Sequence, residues 1–488
     1  MSSPLEGLEP RLVWQHFDAI RMIPRPSKHE EAVAAHVQQW AASKGFGVQR
    51  DAAGNVVVKV PACAGREAAP VVILQGHLDM VPEKNQDVVF DFEKDPIQVR
   101  VVDGWVYATG TTLGADNGIG LALAMAAAED PACEHGPLEL LFTVDEETGL
   151  TGAEQLDPSL LTGKTLLNLD TEEDGALYIG CAGGATAYAR FELNLRPAAV
   201  GTLAYHLKLR GLRGGHSGVD IHENRANAIK LAARLLAAAR SANVAFELVS
   251  FVSGSKHNAI PREADVLLRV PLGAEEVMQG VIAQSASLLA LEFADIEPAM
   301  TVELVRYPDD EDMALVWSHA DRCRVIDALL GCPHGVLAMS RAVPGLVETS
   351  HNLAVIETDP GLVRLTTSAR SSVAPALTGV LQQVQAVLSR AGAKVEVGGA
   401  YPGWRPNPAS PILAVMGEAY EALFSVKAKI KAIHAGLECG LIGEKFPGMD
   451  MVSMGPQIES PHSPDERVGI DSVGRAYQLL LATLARLR

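Results

Sequence analysis

Hydrophobic positions along this chain change their period, and the change marks out its parts. Residues 10–46 carry apolar side chains at helical spacing, broken at Ile23-Pro24-Arg25-Pro26. Two helices are predicted there, with Ser27 placed to cap the second and Glu30 and Glu31 in its first turn. Short apolar runs follow at 55–60, 71–75, 138–144, 165–169 and 451–454, and 118–130 reads as a buried helix of Ala, Leu and Met. Apolar strands alternating with helices predict an α/β domain with a largely parallel sheet. From Ala187 the rhythm becomes one in, one out, as in Ala187-Tyr188-Ala189-Arg190-Phe191. That suits a sheet with one wet face and a separate α+β domain.

The second region contains an internal echo. Lys256-His257-Asn258-Ala259-Ile260 leads through a strand at 266–270 to a helix near 274–290, after an earlier helix at 224–240. Ser350-His351-Asn352-Leu353-Ala354 leads through 362–365 to a helix near 374–390. The shared order of His-Asn, strand and helix points to a duplicated module. Residues 401–406 turn loop-like and 410–424 are helical again. The first domain is therefore expected in two pieces, 1–186 and 399–488, with 187–398 inserted.

Composition narrows the function classes. A chain of 488 residues exceeds one ordinary core, and 48% hydrophobic with 20% charged residues is a globular balance. A formal charge of −18 disfavours nucleic acid or an anionic membrane as partner. No run approaches the ~20 apolar residues that span a bilayer, and 1–10 lacks the pattern of a secretory signal. The six cysteines are scattered without a CxxC pair, so reduced thiols and a cytoplasmic location are expected.

The candidate chemistry sits where apolar runs end. His77 and Asp79 follow 71–76, Asp116 lies in Gly114-Ala115-Asp116-Asn117-Gly118, Asp145-Glu146-Glu147 follow 138–144, Asp170 follows 165–169, and His462 stands between Pro461 and Pro464. Each has a bland alternative: a common His-x-Asp, a helix N-cap, a solvated acidic loop, a surface histidine. Together they place imidazoles and carboxylates at the carboxyl edge of an α/β sheet, where sites form. Such donors suit Zn²⁺ or Mn²⁺. Alternation in an extended segment lets Asp79 orient His77, and one glutamate of the acidic triplet can ligate while its neighbour takes a proton from bound water.

Five segments carry a resemblance to a known family: Gly-His-Leu-Asp-Met at 76–80, Leu-Gly-Ala-Asp-Asn-Gly at 113–118, Asp-Glu-Glu-Thr-Gly at 145–149, Leu-Asp-Thr-Glu at 169–172 and Ser-Pro-His-Ser at 460–463. In these the chain resembles aminoacyl-histidine dipeptidases, dinuclear zinc exopeptidases related to carnosinases and aminotripeptidases. The resemblance implies a three-layer α/β catalytic domain with an inserted α+β lid. It implies two Zn²⁺, with Co²⁺ or Mn²⁺ as substitutes, one held by His77, Asp116 and Asp170 and the other by Asp116, Glu147 and His462. Glu146 would be the general base toward a water between the metals, and Asp79 would orient His77. A cis peptide is expected at Asp116–Asn117.

In the lid, His216 of Gly214-Gly215-His216-Ser217-Gly218 would stabilise the oxyanion, and Asn258 and Arg370 would bind substrate. Glu438 is a candidate for the free α-amino group. The implied substrate is an unblocked dipeptide, Xaa-His or β-alanyl-histidine in type, and the doubled lid module either supplies the lid histidine within one chain or builds a homodimer through the lid. The rival readings are an N-acyl-amino-acid deacylase or carbamoylase on the same scaffold, and more remotely a non-catalytic binding protein.

Overall fold

A computed structural model of the chain describes residues 3–308 and 313–488. It divides into two compact units. One comprises the described residues up to Gly180 with Trp404–Ala432 and Leu437–Arg488, the other Cys181–Gly403 with Ile433–Gly436.

The first unit is built on an eight-stranded sheet, in the order Gly47–Arg50, Val56–Val60, Leu138–Thr143, Val72–His77, Thr165–Asn168, Asp450–Ser453, Ala176–Cys181, Lys429–Ile433. The four central strands, from Leu138–Thr143 to Asp450–Ser453, run parallel. Strands paired outside them are antiparallel, so only the middle of the sheet matches the parallel expectation. Val72–His77 and Leu138–Thr143 are buried along their whole length, as strands covered on both faces must be. Helix Ala115–Glu129, apolar on every side, packs on strand Val72–His77. Ser27 does not cap the second helix, Glu31–Ser43, whose N-cap is Glu30. Its hydroxyl instead donates to Asp79 Oδ2 at 2.7 Å.

The second unit carries a nine-stranded sheet in which the sequence echo becomes a topological repeat. One half is formed by Thr202–Arg210, Glu247–Ser253, Ala264–Pro271 and Thr301–Arg306, the other by Gly183–Glu192, Val347–Asp359, Leu362–Ser371 and Lys394–Tyr401, and a ninth strand, Gly335–Met339, pairs with Val347–Asp359. In both halves the strands, numbered in chain order, lie four-one-three-two across the sheet. In both, one helix precedes the second strand (Ala228–Ser241, His319–Gly331) and one joins the third to the fourth (Glu275–Glu292, Ala374–Arg390). This is the split βαβ pattern, used twice. The halves meet second strand to second strand at Ser253 and Ile356. Phe191, Leu207, Leu236, Phe251, Val266, Val363 and Leu388 belong to one continuous core under both halves.

Candidate functional site

The parallel strands of the first unit end together, and the loops and helix starts at that edge bring the acids and histidines into one cluster. His77 ends strand Val72–His77. Its Nε2 lies 3.0 Å from Asp116 Oδ1 and 3.2 Å from Asp170 Oδ1. The second oxygen of Asp116 is 3.2 Å from His462 Nε2, and that nitrogen is 3.1 Å from Glu147 Oε2. Two three-donor groups result, His77/Asp116/Asp170 and Asp116/Glu147/His462, each with ligand atoms within 4.8 Å of one another and with Asp116 in both.

The donor set fits a pair of divalent cations. Glu147 Oε1 is buried without a hydrogen-bond partner and Asp170 Oδ1 has only the approach of His77 Nε2 at 3.2 Å, a costly arrangement that a cation relieves. Protonation behaviour agrees. Burial pushes Asp170 up to about 7, with Asp116 and Glu147 adding to the rise and His77 opposing it. Hydrogen bonds to Asp116 and Glu147 push His462 up to about 11. Burial alone would lower His77, yet the carboxylates of Asp170, Asp116 and Asp79 hold it well above its ordinary value. His77, Glu146 and Glu147 form a third group of the same cluster, whereas a fourth, the all-acidic Glu30/Asp79/Asp145, is of another kind. Its carboxylates accept from Ser27, Lys28, Asp145, Glu146, Glu147, Thr148 and Thr151.

Local structure explains how each group is presented. Asp79 takes Ser27 Oγ and the amides of Glu146 and Glu147 at 2.7, 3.0 and 3.2 Å. It stands 3.3 Å from His77 Nδ1, leaving Nε2 to face the donor groups. Burial would raise its pKa, but these donors and the imidazole hold it down at about 2. Asp145 adopts φ 52° and accepts from Thr148 and Thr151, turning the chain so that Glu146 and Glu147 open a short helix. The acidic triplet therefore splits into one turn-forming residue and two that serve the site. Glu146 is raised well above the carboxylate range by burial and by Asp170, Glu438 and Glu147, against His77.

The Asp116–Asn117 peptide is cis, as the resemblance implies. Asn117 donates to Leu169 O at 2.7 Å and accepts from the His77 amide at 3.3 Å, tying two strand ends to one loop. Gly76 makes this approach feasible, since a Cβ there would lie 2.2 Å from Asn117 Oδ1. Gly76→Ala is expected to lower stability by about 1–3 kcal/mol through overpacking, read as a lower urea midpoint with reduced metal retention.

Two residues of the first unit escaped the sequence reading. Glu466 accepts from four consecutive amides, Leu113 to Asp116, at 2.7–3.3 Å, and so fixes the loop that carries Asp116. Arg25, 2% exposed, donates to Leu78 O and Asp79 O at 2.9 and 2.5 Å and to Gly114 O, a cation beneath the acidic cluster. Its place between two prolines was the available signal. For Glu466 there was none, because its partners are backbone amides 350 residues away.

Glu438 is fully buried, accepting from Gln75 Nε2 at 2.5 Å and Thr143 Oγ1 at 2.7 Å. Its Oε1 has no partner among the described residues, and burial pushes the group up to about 7.

The remaining predicted residues belong to the second unit. His216 Nδ1 accepts from the amides of Gly218 and Val219 at 3.2 and 3.0 Å. Those bonds fix the neutral tautomer, with the proton on Nε2, and burial then Arg370 lower the ring's pKa. Arg370, 8% exposed, donates to Tyr401 Oη at 3.0 Å. Asn258 lies on the same loop system, its carbonyl accepting from Ser217 N at 2.8 Å. Asn352 holds that loop by donating to His257 O and Ala259 O, so the two His-Asn motifs of the echo touch. His434, bonded to Ser350 Oγ at 2.7 Å and lowered to about 3 by burial and Arg370, joins this group without having been foreseen.

Comparison with known proteins gives a consistent result. The profile of Peptidase family M20/M25/M40 matches residues 73–486. A cytosol non-specific dipeptidase of Escherichia coli (strain K12) is 42% identical over 482 residues, covering 99% of both chains. The crystal structure of aminoacylhistidine dipeptidase from Vibrio alginolyticus superposes with a TM-score of 0.93 at 44% identity, covering 99% of this chain and 98% of that one. Aminopeptidase PepT from Bacillus cereus shares the fold at a TM-score of 0.58 and 16% identity, over 98% and 99% of the two chains.

Proposed function

As the chain belongs to peptidase family M20/M25/M40, we propose that it is a metal-dependent dipeptidase acting on unblocked dipeptides, Xaa-His among them. The observation that carries this reading is the Asp116 carboxylate, whose two oxygens face two separate donor groups beside Glu146. Two divalent cations there, Zn²⁺ with Co²⁺ or Mn²⁺ as substitutes, would polarise the peptide carbonyl and activate water.

The chain's own residues do the rest. Glu146 takes the proton from the attacking water and returns it to the leaving amine, a role its raised pKa suits. Asp79 keeps His77 in one tautomer, and Arg25 and Glu466 hold the loops in place. His216 offers Nε2–H to the developing oxyanion, and Arg370 and Asn258 serve the substrate's carboxylate and backbone. Glu438 Oε1, buried and unpartnered, is the acceptor assigned to the substrate ammonium. His216→Ala is expected to lower kcat about 10²–10³-fold, the usual loss for one oxyanion donor, with metal content unchanged on elemental analysis.

The same reading places the protein in the cytoplasm as a homodimer joined through the second unit. The compartment is supported by the likeness to a cytosol non-specific dipeptidase. Sedimentation of the purified chain tests the dimer.

The deciding experiment follows histidine released from Ala-His by stripped protein, before and after Zn²⁺, beside N-acetyl-Ala-His and Ala-Ala. Zinc-dependent cleavage of free dipeptides alone is expected. Cleavage of the acetylated compound instead moves the chain to the deacylases.

A further inference from the structure

The second unit contains a pocket of about 510 Å³ in which three arginines and a histidine face one carboxylate, Glu247, beside the neutral Thr202 and Asn243, in a chain of net charge −18. Arg196, Arg240, His319 and Arg322 line it, and none of them has a part in the proposed reaction. Arg196 pairs with Glu247 at 2.7 Å and Arg240 with Asp327 at 2.6 Å. Arg322 has no carboxylate partner among the described residues.

Arg322 is only 8% exposed, with its guanidinium carbon 4.3 Å from the centre of the Phe246 ring. Nη2 donates to His319 Nδ1 at 2.9 Å, and Nε is buried with no acceptor. A buried charge left this way is expensive unless an anion shares the site. Because His319 Nδ1 accepts, its proton sits on Nε2, a further donor, 3.6 Å from Cys323 Sγ. His319 and Arg322 lie in the first turn of the 13-residue helix His319–Gly331, the end whose dipole favours negative charge. Planar guanidinia present paired donors that match phosphate oxygens. The volume exceeds what a bare oxyanion needs and falls within the range of small-molecule sites, while Phe246, Val244 and Pro271 supply an apolar wall.

We propose that this pocket binds a small phosphorylated metabolite, its phosphoryl dianion received by Arg322, Arg240 and His319. The test is calorimetric titration of the zinc-loaded full chain with phosphoserine and with inorganic phosphate, acetate serving as monoanion control. Both phosphates are expected to bind in competition, and acetate far more weakly. Arg322→Gln should raise the apparent Kd about tenfold or more, the loss of a charge-assisted hydrogen bond. Arg240→Gln changes a residue on the pocket rim, leaves the fold intact, and should weaken binding in the same direction. Dipeptide cleavage should be unchanged in both variants. Phosphate affinity equal to wild type in Arg240→Gln overturns the proposal, as does binding that disappears when the metal is stripped, which puts the anion at the first unit's centre. Acetate binding as tightly as phosphate overturns it too.

Discussion

Glu146→Gln is expected to lower kcat for dipeptide cleavage by about 10³-fold, inside the 10²–10⁴ that positioned proton transfer contributes, with bound zinc and melting temperature near wild type. The reason lies in how the acidic triplet is divided. Asp145 spends both oxygens on Thr148 and Thr151, and Glu147 meets His462, whereas the Glu146 carboxylate has no hydrogen-bonded partner among the described residues. Its amide, not its side chain, anchors it to Asp79. The amide variant keeps shape and size, so only proton affinity is lost. Glu147→Gln should instead release metal, and Asp145→Asn should weaken the turn. Steady-state histidine release, elemental analysis and a thermal melt on all three separate these outcomes. A Glu146→Gln enzyme with kcat close to wild type removes Glu146 from the proton path.

Much of this site was legible because its residues end strands. A strand end is a local signal, so His77, Glu147 and Asp170 stood out as candidates after apolar runs, Asp116 stood out in its glycine-flanked turn before a helix, and the family resemblance supplied their grouping. The duplicated second unit was legible for a related reason, since the same strand-then-helix rhythm occurs twice. Supporting contacts were less accessible. Ser27 looked like a helix cap from its position, but a hydroxyl can serve either a helix amide or a carboxylate, and here it serves Asp79. Glu466 and Arg25 act on backbone atoms that carry no side-chain signature. The sheet reading overestimated parallel pairing because the outer strands Val56–Val60 and Ala176–Cys181 are as apolar as the central ones, and hydrophobicity reports burial rather than direction.

Stripping the metal should make stability fall steeply as pH rises from 5 to 8, and Zn²⁺ should flatten that slope while releasing protons. Burial pushes Asp170, Glu438 and Glu466 up to about 7 and Glu172 to about 8, and raises Glu146 as well. An acid raised on folding binds its proton in the native state after the unfolded chain has lost its own. Its contribution is full below the ordinary carboxylate pKa near 4.5 and disappears as pH passes the folded value. His77, raised on folding, works in the same sense, with its contribution full below about 6.5 and lost higher up. His462 adds less than its shift suggests, because half of its side chain meets solvent. Asp79 and Asp116, held low, act in the opposite direction, but only as pH falls below about 4, so they leave this window alone. A net excess of two native-state protons corresponds to about 2.7 kcal/mol lost per pH unit. Bound cations require ionised carboxylates and neutral imidazoles, so loading at pH 6.5 must expel those protons. Urea melts of chelated and zinc-loaded protein between pH 5 and 8 measure the slope, and calorimetry in buffers of different ionisation enthalpy counts the protons. A flat profile for the stripped protein, with no proton release on loading, would mean that the clustered acids are already ionised and the imidazoles already neutral without metal, and would overturn this proton linkage.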